Sequence, residues 1–287
     1  MRRWIALLLP LVFVFTACTA RSGGLQISPQ GSRASTAALE TVAIRETVRD
    51  FLDAYARSGE TVQPLRGMVG GPELRDWVHW LGVQNRHLVR ATGDLEVRAI
   101  RVLQVREDVA AAALDATVTF RFVTEKNGQA SSVPRSFQSP VILTRGDRAG
   151  SWLVVDVVRD GRSMMDSIIL LDPPVSVREE GLVVQVVSVY RFTSGTVVNM
   201  RMRSVGSQRI RIDRERSVLQ VTGRSLRPLG TTRTLSGTLP HDELVQGAFD
   251  FGGLGLTAVP EGMLIRFHGN REPLALPFPP EAFAQEP

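Results

Sequence analysis

The sequence is short of cysteine and lysine, and each shortage excludes a class of structure or chemistry. Cys18 is the only cysteine in the 287 residues, so the chain has no internal disulfide and no cysteine pair for zinc. Lys126 is the only lysine and lies in a Glu-Lys-Asn-Gly turn, which excludes a phosphate-binding P-loop. Stability must therefore come from packed cores.

Signatures of common hydrolases, metalloenzymes and dinucleotide-binding proteins are also missing. The sequence has no Gly-x-Ser-x-Gly elbow and no His-Glu-x-x-His motif. Gly253 to Ala258 matches the letters of a dinucleotide-binding fingerprint, but the following Pro260 and Gly262 cannot begin the helix that such a site needs. The histidines show no metal-ligand spacing: His79, His87, His241 and His268. We therefore predict no catalytic residues, no cofactor and no metal.

The first 17 residues have the organisation of a secretory signal. Arg2 and Arg3 precede an apolar run from Trp4 to Phe15, which is shorter than the about 20 residues of a transmembrane helix. The following Phe15-Thr16-Ala17-Cys18 resembles the lipobox of bacterial lipoproteins, with Phe where Leu is more usual. The resemblance implies cleavage before Cys18 and acylation of its sulfur, as with palmitate, and of the new amino group.

This interpretation predicts where the protein is found and its first partner, the membrane. At least two acyl chains on Cys18 would anchor the chain stably. The expected location is the outer side of the bacterial cytoplasmic membrane, or the outer membrane if the cell has one. Residues 18–35 are rich in Gly, Ser and Arg and show no period, so we predict a flexible tether.

The charge balance does not indicate nucleic-acid binding. Without Arg2 and Arg3 the chain has 32 basic and 29 acidic side chains, a formal charge of +3. The pI of about 10.4 is high because nearly all the bases are arginine, which titrates late. We attribute the arginine to codon usage in a GC-rich genome, because an exported chain meets no cytosolic DNA.

Residues 36–162 are predicted to form an α+β domain. Apolar residues from Ile44 to Tyr55 share one helical face, and a second helix is expected to begin at Pro72. Strict alternation from Ala112 to Phe122 predicts the clearest of four antiparallel strands. An irregularity near Ala99 predicts a bulge in the strand before it, and Arg159-Asp160-Gly161 predicts a turn after the last strand. This order, closed by Trp152-Leu153-Val154-Val155-Asp156, resembles the cone-shaped nuclear transport factor two-like fold. The resemblance implies a curved sheet that wraps a helix and leaves a pocket at its open end.

Residues 175–280 are predicted to form an all-β sandwich after a linker at residues 163–174, and residues 281–287 form a tail. Seven or eight short strands with regular turns are typical of an immunoglobulin-like sandwich. The segment Gly247-Ala248-Phe249-Asp250-Phe251 resembles the immunoglobulin-like domain of uncharacterised bacterial surface lipoproteins. That resemblance implies a module without enzymatic activity.

Two groups of residues are candidates for binding. Tyr55, Trp77 and Trp80 could line an apolar pocket for a small ligand, although core packing is the commoner role of such aromatics. Alternation also predicts that four arginines share one sheet face, which could contact anionic lipid or an acidic wall polymer: Arg201, Arg203, Arg209 and Arg211. A solvated face is the commoner explanation of such a pattern.

An acid–base site in the pocket is a further hypothesis. Its candidates are Asp53, Tyr55, His79, His87 and Asp156, but nothing in the sequence brings them together. We therefore predict a membrane-anchored, non-catalytic binding or envelope-assembly module with a protein partner in the cell envelope. The alternative is a small-molecule carrier or acid–base enzyme that uses the pocket.

Overall fold

A computed structural model describes residues 30–85, 92–123, 130–148, 150–205, 209–254 and 258–283. Several predicted features lie outside these residues, among them the signal peptide, Cys18, the first part of the tether, the turn at Lys126 and His87. Within the described residues, no helix combines the length and the apolar character needed to cross a membrane.

Three helices precede the first sheet: α1 (Gln30–Ala56), α2 (Gln63–Arg66) and α3 (Pro72–Asn85). α1 begins within the predicted tether, whereas α3 begins at the predicted Pro72. The apolar face predicted for the first helix is buried, from Ile44 to Tyr55. Its side chains belong to the same core as those of α3 and the first sheet.

The first sheet follows the order of the chain and is antiparallel throughout. Its strands are β1 (Thr92–Val105), β2 (Val109–Val123), β3 (Ala130–Arg145), β4 (Trp152–Arg159) and β5 (Arg162–Ser163). The irregularity predicted near Ala99 is confirmed by a register shift between Val97 and Ala99. Asp160 and Gly161, with φ of 52° and 83°, form the predicted turn between β4 and β5, as expected for a two-residue hairpin.

The rest of the chain, after the short helix α4 (Met164–Ser167), forms two more antiparallel sheets. One has the order β11-β12-β8-β7-β6 and the other the order β10-β9-β13-β14. The bounds are β6 (Ile168–Glu179), β7 (Leu182–Phe192), β8 (Gly195–Ser204), β9 (Ile212–Val221), β10 (Arg224–Leu226), β11 (Pro228–Thr231), β12 (Leu244–Phe251), β13 (Pro260–Phe267) and β14 (Leu274–Pro277). Side chains from both sheets fill a second core.

The predicted fold class, an α+β cone with helices packed on a curved sheet followed by a sandwich, is wrong. The protein is mostly antiparallel β-sheet, with 56% strand, 21% helix, three sheets and four helices among the described residues. One reason is that the predicted linker contains α4 and the first half of β6. Asp172-Pro173-Pro174 lies within β6, at a register shift between Leu170 and Val175. β6 is an edge strand, where proline interrupts little pairing.

The two cores meet at β7. Tyr190 and Phe192, at the end of this strand, pack in the first core together with the helices and the first sheet. Val184, Val186 and Val189 of the same strand pack in the second core. One strand therefore contributes to both cores, and the surfaces that surround its end form the site described next.

Candidate functional site

A cavity of about 260 Å³, which we call the junction cavity, lies where α1, α3 and the first sheet meet β7, β8 and β12. Five aromatic side chains line it: Tyr55, Trp77, Phe120, Tyr190 and Phe192. Three charged side chains do so as well: Arg135, Arg159 and Asp250. Smaller and polar side chains complete the wall.

The aromatic wall is built around Tyr55, on the last turn of α1. Its ring centre lies 5.5 Å from that of Trp77 on α3 and 5.2 Å from that of Phe120 on β2. The contact with Phe120 is edge-to-face, a geometry that aromatic pairs favour. Phe120 points inward because side chains alternate along β2, whose inward residues are buried.

Arg159, the last residue of β4, places a buried cation in this wall. Its side chain is 7% exposed, and its guanidinium carbon lies 3.7 Å from the ring centre of Phe192 and 5.9 Å from that of Trp77. The buried Nε of Arg159 makes no hydrogen bond. Burial lowers the pKa of Arg159, while Tyr55 and Asp160 oppose this effect. Because arginine starts from so high a pKa, the group remains a cation.

The nearest carboxylate, that of Asp160, is shared between two arginines. Its Oδ2 lies 3.8 Å from Nε of Arg159 and 3.5 Å from Nη1 of Arg135. Its Oδ1 accepts a hydrogen bond from the backbone N–H of Ser136 at 2.9 Å. Charge-assisted hydrogen bonds are usually about 2.7–2.9 Å long, so neither guanidinium is fully engaged. The Tyr55 hydroxyl is a second polar partner of the Arg159 guanidinium, whose Nε still makes no hydrogen bond and can pair with a further anion.

The remaining charge, Asp250 on β12, is solvent-exposed at the edge of the cavity. Partial desolvation raises the pKa of its carboxyl group, and Arg135 opposes that shift. The buried cation of Arg159 is therefore inside the cavity, and the carboxylate of Asp250 is at its exposed edge.

Both tyrosines of the chain line the cavity and both hold their protons strongly. Burial raises the pKa of Tyr55, although Arg159 and Arg135 oppose the shift. Burial also raises the pKa of Tyr190 well above its usual value, and Asp76 adds to the effect. The Tyr190 hydroxyl donates a 2.8 Å hydrogen bond to Oδ2 of Asp76 on α3. Each tyrosine is therefore a hydrogen-bond donor rather than a base at neutral pH.

The predicted pocket residues are only partly brought together. Tyr55 and Trp77 line the junction cavity, but Trp80 does not. Trp80 is fully buried, with its ring centre 5.4 Å from that of His79. The pocket also differs from the one expected, because β7, β8 and β12 supply one of its walls.

The predicted acid–base residues do not converge in the cavity. Among those that the structure describes, only Tyr55 lines it, whereas Asp53, His79 and Asp156 do not. Asp156 instead has a local structural role: its Oδ2 accepts a hydrogen bond from the Ser163 hydroxyl at 2.8 Å, and its Oδ1 accepts one from the Met165 backbone at 3.0 Å. His87 lies outside the described residues.

The four arginines predicted to share a face lie in two separate places. Arg201 and Arg203 are on β8 and border a groove of about 380 Å³, and Arg203 pairs with Asp242 at 2.8 Å. The exposed Arg209 and Arg211 come just before β9, in the other sheet, and Arg211 borders a different groove. Within each pair the two arginines are two residues apart in sequence, but the chain crosses between sheets after Ser204.

Sequence reasoning missed Arg159, Arg135 and Asp250. Arg159 carried a usable signal, because it continues the buried positions of β4, whose other members include Val154 and Val157. An arginine among apolar positions of a strand is unusual, since charged residues are rarely buried unless paired. Asp250 had no such signal, because it comes from a distant segment of the chain.

Comparison with known proteins does not assign the site. No family model, no curated protein and no solved structure matches this chain. Within the part of the chain that the structure describes, no three His, Cys, Asp or Glu side chains are grouped to hold a metal ion. The chemistry of the cavity is therefore the basis for the function.

Proposed function

We propose that this protein is a lipid-anchored, extracytoplasmic module that binds a small ligand in the junction cavity. The observation that carries the proposal is the convergence of aromatic side chains and an incompletely paired, buried Arg159 on one cavity. Ligand pockets typically combine apolar walls with a few placed polar groups. A cavity of about 260 Å³ is slightly smaller than pockets for drug-sized molecules, so we expect a smaller ligand.

The cavity favours binding over acid–base catalysis. A general base needs a pKa near the working pH and a position within hydrogen-bond reach of the substrate. The raised pKa of Tyr55 removes it from that role. Asp250 is exposed at the edge of the cavity, and the charged group that acts on its carboxyl is Arg135, which is a cation rather than a second acid–base group at neutral pH. An open cavity also favours a ligand-binding role over a purely structural one in envelope assembly.

The anchor is tested by metabolic labelling with palmitate. The full chain should incorporate label when expressed in a lipoprotein-processing bacterium, and Cys18→Ser should abolish incorporation. As a matched control, Ser28→Cys in the Cys18→Ser background restores a thiol ten residues away, outside the lipobox, and should not restore labelling. An unlabelled wild-type chain, or a labelled Cys18→Ser chain, would contradict the anchor.

Ligand binding is tested with a library of small fluorinated fragments, observed by 19F NMR on the Cys18→Ser chain expressed without its leader. Fragments that bind in the junction cavity should lose binding when Ser194→Trp fills its entrance, because Ser194 is an exposed lining residue. The matched control is Ser225→Trp, an exposed serine on β10 that does not line the cavity. If no fragment in the library binds Ser225→Trp more tightly than Ser194→Trp, the proposal is overturned.

A further inference from the structure

We infer that the ligand of the junction cavity is a small planar organic carboxylate, with its carboxylate paired to Arg159 and Arg135 and its flat body among the aromatic side chains. This inference rests on the proposed binding function and adds the chemical class of the ligand. The class follows from the charge, the aromatic surfaces and the polarity of the cavity.

The charge argument starts from Arg159. A buried cation is costly unless it is paired and hydrogen-bonded. Here its Nε has no hydrogen bond, and its nearest carboxylate oxygen is 3.8 Å away and is shared with Arg135. At the inner end of the cavity two guanidiniums share one carboxylate, which leaves a local positive excess there, because the second carboxylate near Arg135, that of Asp250, is at the exposed side. A carboxylate ligand would balance that excess, and the flat guanidinium fork matches carboxylate geometry.

The aromatic side chains argue against a cationic ligand. Clusters of aromatic rings often bind ammonium groups through the ring faces. In this cavity Arg159 already occupies that position, 3.7 Å from the ring centre of Phe192 and 5.9 Å from that of Trp77. A second cation would meet the charge of Arg159 at close range. The rings that remain available offer flat apolar surfaces, which suit a planar ligand body.

Asp250 sets the orientation. Its carboxylate is at the exposed side of the cavity, whereas Arg159 is buried. A ligand carboxylate is therefore attracted to the inner end and repelled from the entrance. The anionic group enters first, and the flat body fills the space beside Tyr55, Trp77 and Phe120.

The test compares three probes of nearly equal shape on the Cys18→Ser chain by 19F NMR at pH 7: 4-fluorobenzoate, 4-fluorobenzamide and 4-fluorobenzylammonium. Hydrogen bonds to charged groups contribute about 1.5–3 kcal/mol, so we expect the benzoate to bind about 10- to 100-fold more tightly than the amide. The ammonium should bind more weakly than either. Equal or tighter binding of the amide or the ammonium would overturn the assignment.

Substitutions test whether the preference for benzoate over the amide depends on Arg159. Arg159→Met should weaken benzoate binding about 10- to 100-fold relative to amide binding. The matched control is Arg145→Met, because Arg145 also stacks on a tryptophan, 4.5 Å from the ring centre of Trp152, but does not line the cavity. Wild-type benzoate affinity in Arg159→Met would overturn the inference.

A second variant gives a result even if Arg159→Met does not fold. Asp250→Asn, at an exposed position, removes the repelling charge and should tighten benzoate binding about two- to fivefold relative to amide binding. Weaker or unchanged benzoate binding would count against the inference. If other fragments bind the cavity and none of the three probes does, the ligand class is wrong while the binding function stands. If no fragment binds at all, the binding function fails as well.

Discussion

Substitutions at Arg159 and Asp160 test how much their buried ion pair contributes to the stability of the protein. Asp160→Asn retains a residue type that tolerates the left-handed φ of 52° and keeps an oxygen for the Ser136 N–H, so it removes mainly the charge. Arg159 would then be a buried cation without its carboxylate. We expect unfolding free energy to fall by about 1–3 kcal/mol, below the range for a fully buried pair because Asp160 is 18% exposed. Urea denaturation measures this change.

Arg159→Met is the complementary variant, because it removes the buried cation instead of isolating it. Replacing a buried charge by an apolar group of similar size is often neutral or stabilising. The Arg159→Met, Asp160→Asn double variant should therefore be more stable than Asp160→Asn alone. A double variant that is less stable by the sum of the two single effects would show that the two charges are not coupled.

The raised pKa values of the two tyrosines lead to a prediction for the stability of the protein at alkaline pH. A tyrosine in the unfolded chain releases its proton near pH 10. Tyr55 and Tyr190 are the only tyrosines, and burial raises both pKa values in the folded protein. Above about pH 10 the unfolded state therefore binds fewer protons than the folded state, and unfolding free energy falls as pH rises. Below about pH 10 both tyrosines are protonated in the folded and the unfolded state, so they do not make the unfolding free energy depend on pH.

Absorbance of tyrosinate at 295 nm, recorded together with circular dichroism, checks this prediction. Tyrosinate should appear only as the protein unfolds, and Tyr55→Phe should reduce the loss of stability above pH 10. Ionisation of both tyrosines near pH 10 in a chain that is still folded would contradict the prediction.

At the level of single residues, the sequence predicted inward positions better than their roles. The helical period identified Tyr55 and the other buried residues of α1, and the aromatic pattern identified Trp77. Trp80 looked equivalent but is entirely within the core. Whether a tryptophan of α3 lines the cavity depends on which strand from later in the chain packs against it. The residues next to Trp77 and Trp80 in the sequence do not show this.

At the level of elements, the contact between the end of α1 and the start of β1 depends on a glycine. A Cβ added at Gly93 would lie 2.8 Å from the backbone oxygen of Ala56 and 2.9 Å from a methyl group of Val118. Gly93→Ala should therefore push β1 away from the helix and cost about 1–3 kcal/mol of stability. Thermal denaturation measures the effect.

The matched control for Gly93 is Gly230→Ala in β11, where no atom lies within 4 Å of the added Cβ. Its backbone does not need the left-handed region, so this change should be neutral or stabilise by up to about 1 kcal/mol. Equal losses of stability in the two variants would show that the close approach at Gly93 is not the cause.

Strands and turns were predicted better than the proportion of helix to sheet. The alternation of β2, the irregularity of β1 and the Asp160-Gly161 turn are all local patterns, and the structure confirms each of them. β6 was missed because Asp172-Pro173-Pro174 has the composition of a linker. Its pairing with β7 satisfies most of the backbone, and an edge strand accepts the interruption.

At the level of the whole molecule, the junction cavity could not be predicted because its walls come from segments more than 100 residues apart. Tyr55 on α1 and Phe192 on β7 are separated in sequence by the whole first sheet. Hydrogen bonds also join the two parts: Thr193 donates to the backbone oxygen of Asp160 at 2.9 Å, and Tyr190 donates to Asp76. The site is thus a property of the contact between the two parts, and neither part alone encloses it.

Because β7 contributes to both cores, we expect the two parts to unfold together. The described tryptophans, Trp77, Trp80 and Trp152, are all in the first core, so their fluorescence reports on that core alone. Ile265→Ala, at a fully buried position of the second core, should cost about 2–5 kcal/mol. If the cores are coupled, the urea midpoint measured by tryptophan fluorescence should fall together with the midpoint measured by circular dichroism.

The matched control for this coupling is Glu261→Ala, an exposed position on the same strand, β13. It should leave both midpoints unchanged, because surface substitutions usually change stability by less than about 0.5 kcal/mol. If Ile265→Ala lowered only the circular dichroism midpoint, the two cores would unfold independently. The walls of the junction cavity would then separate before the first core unfolds, and ligand binding should be lost in urea before the fluorescence transition. With coupled cores, ligand binding and fluorescence should be lost at the same urea concentration.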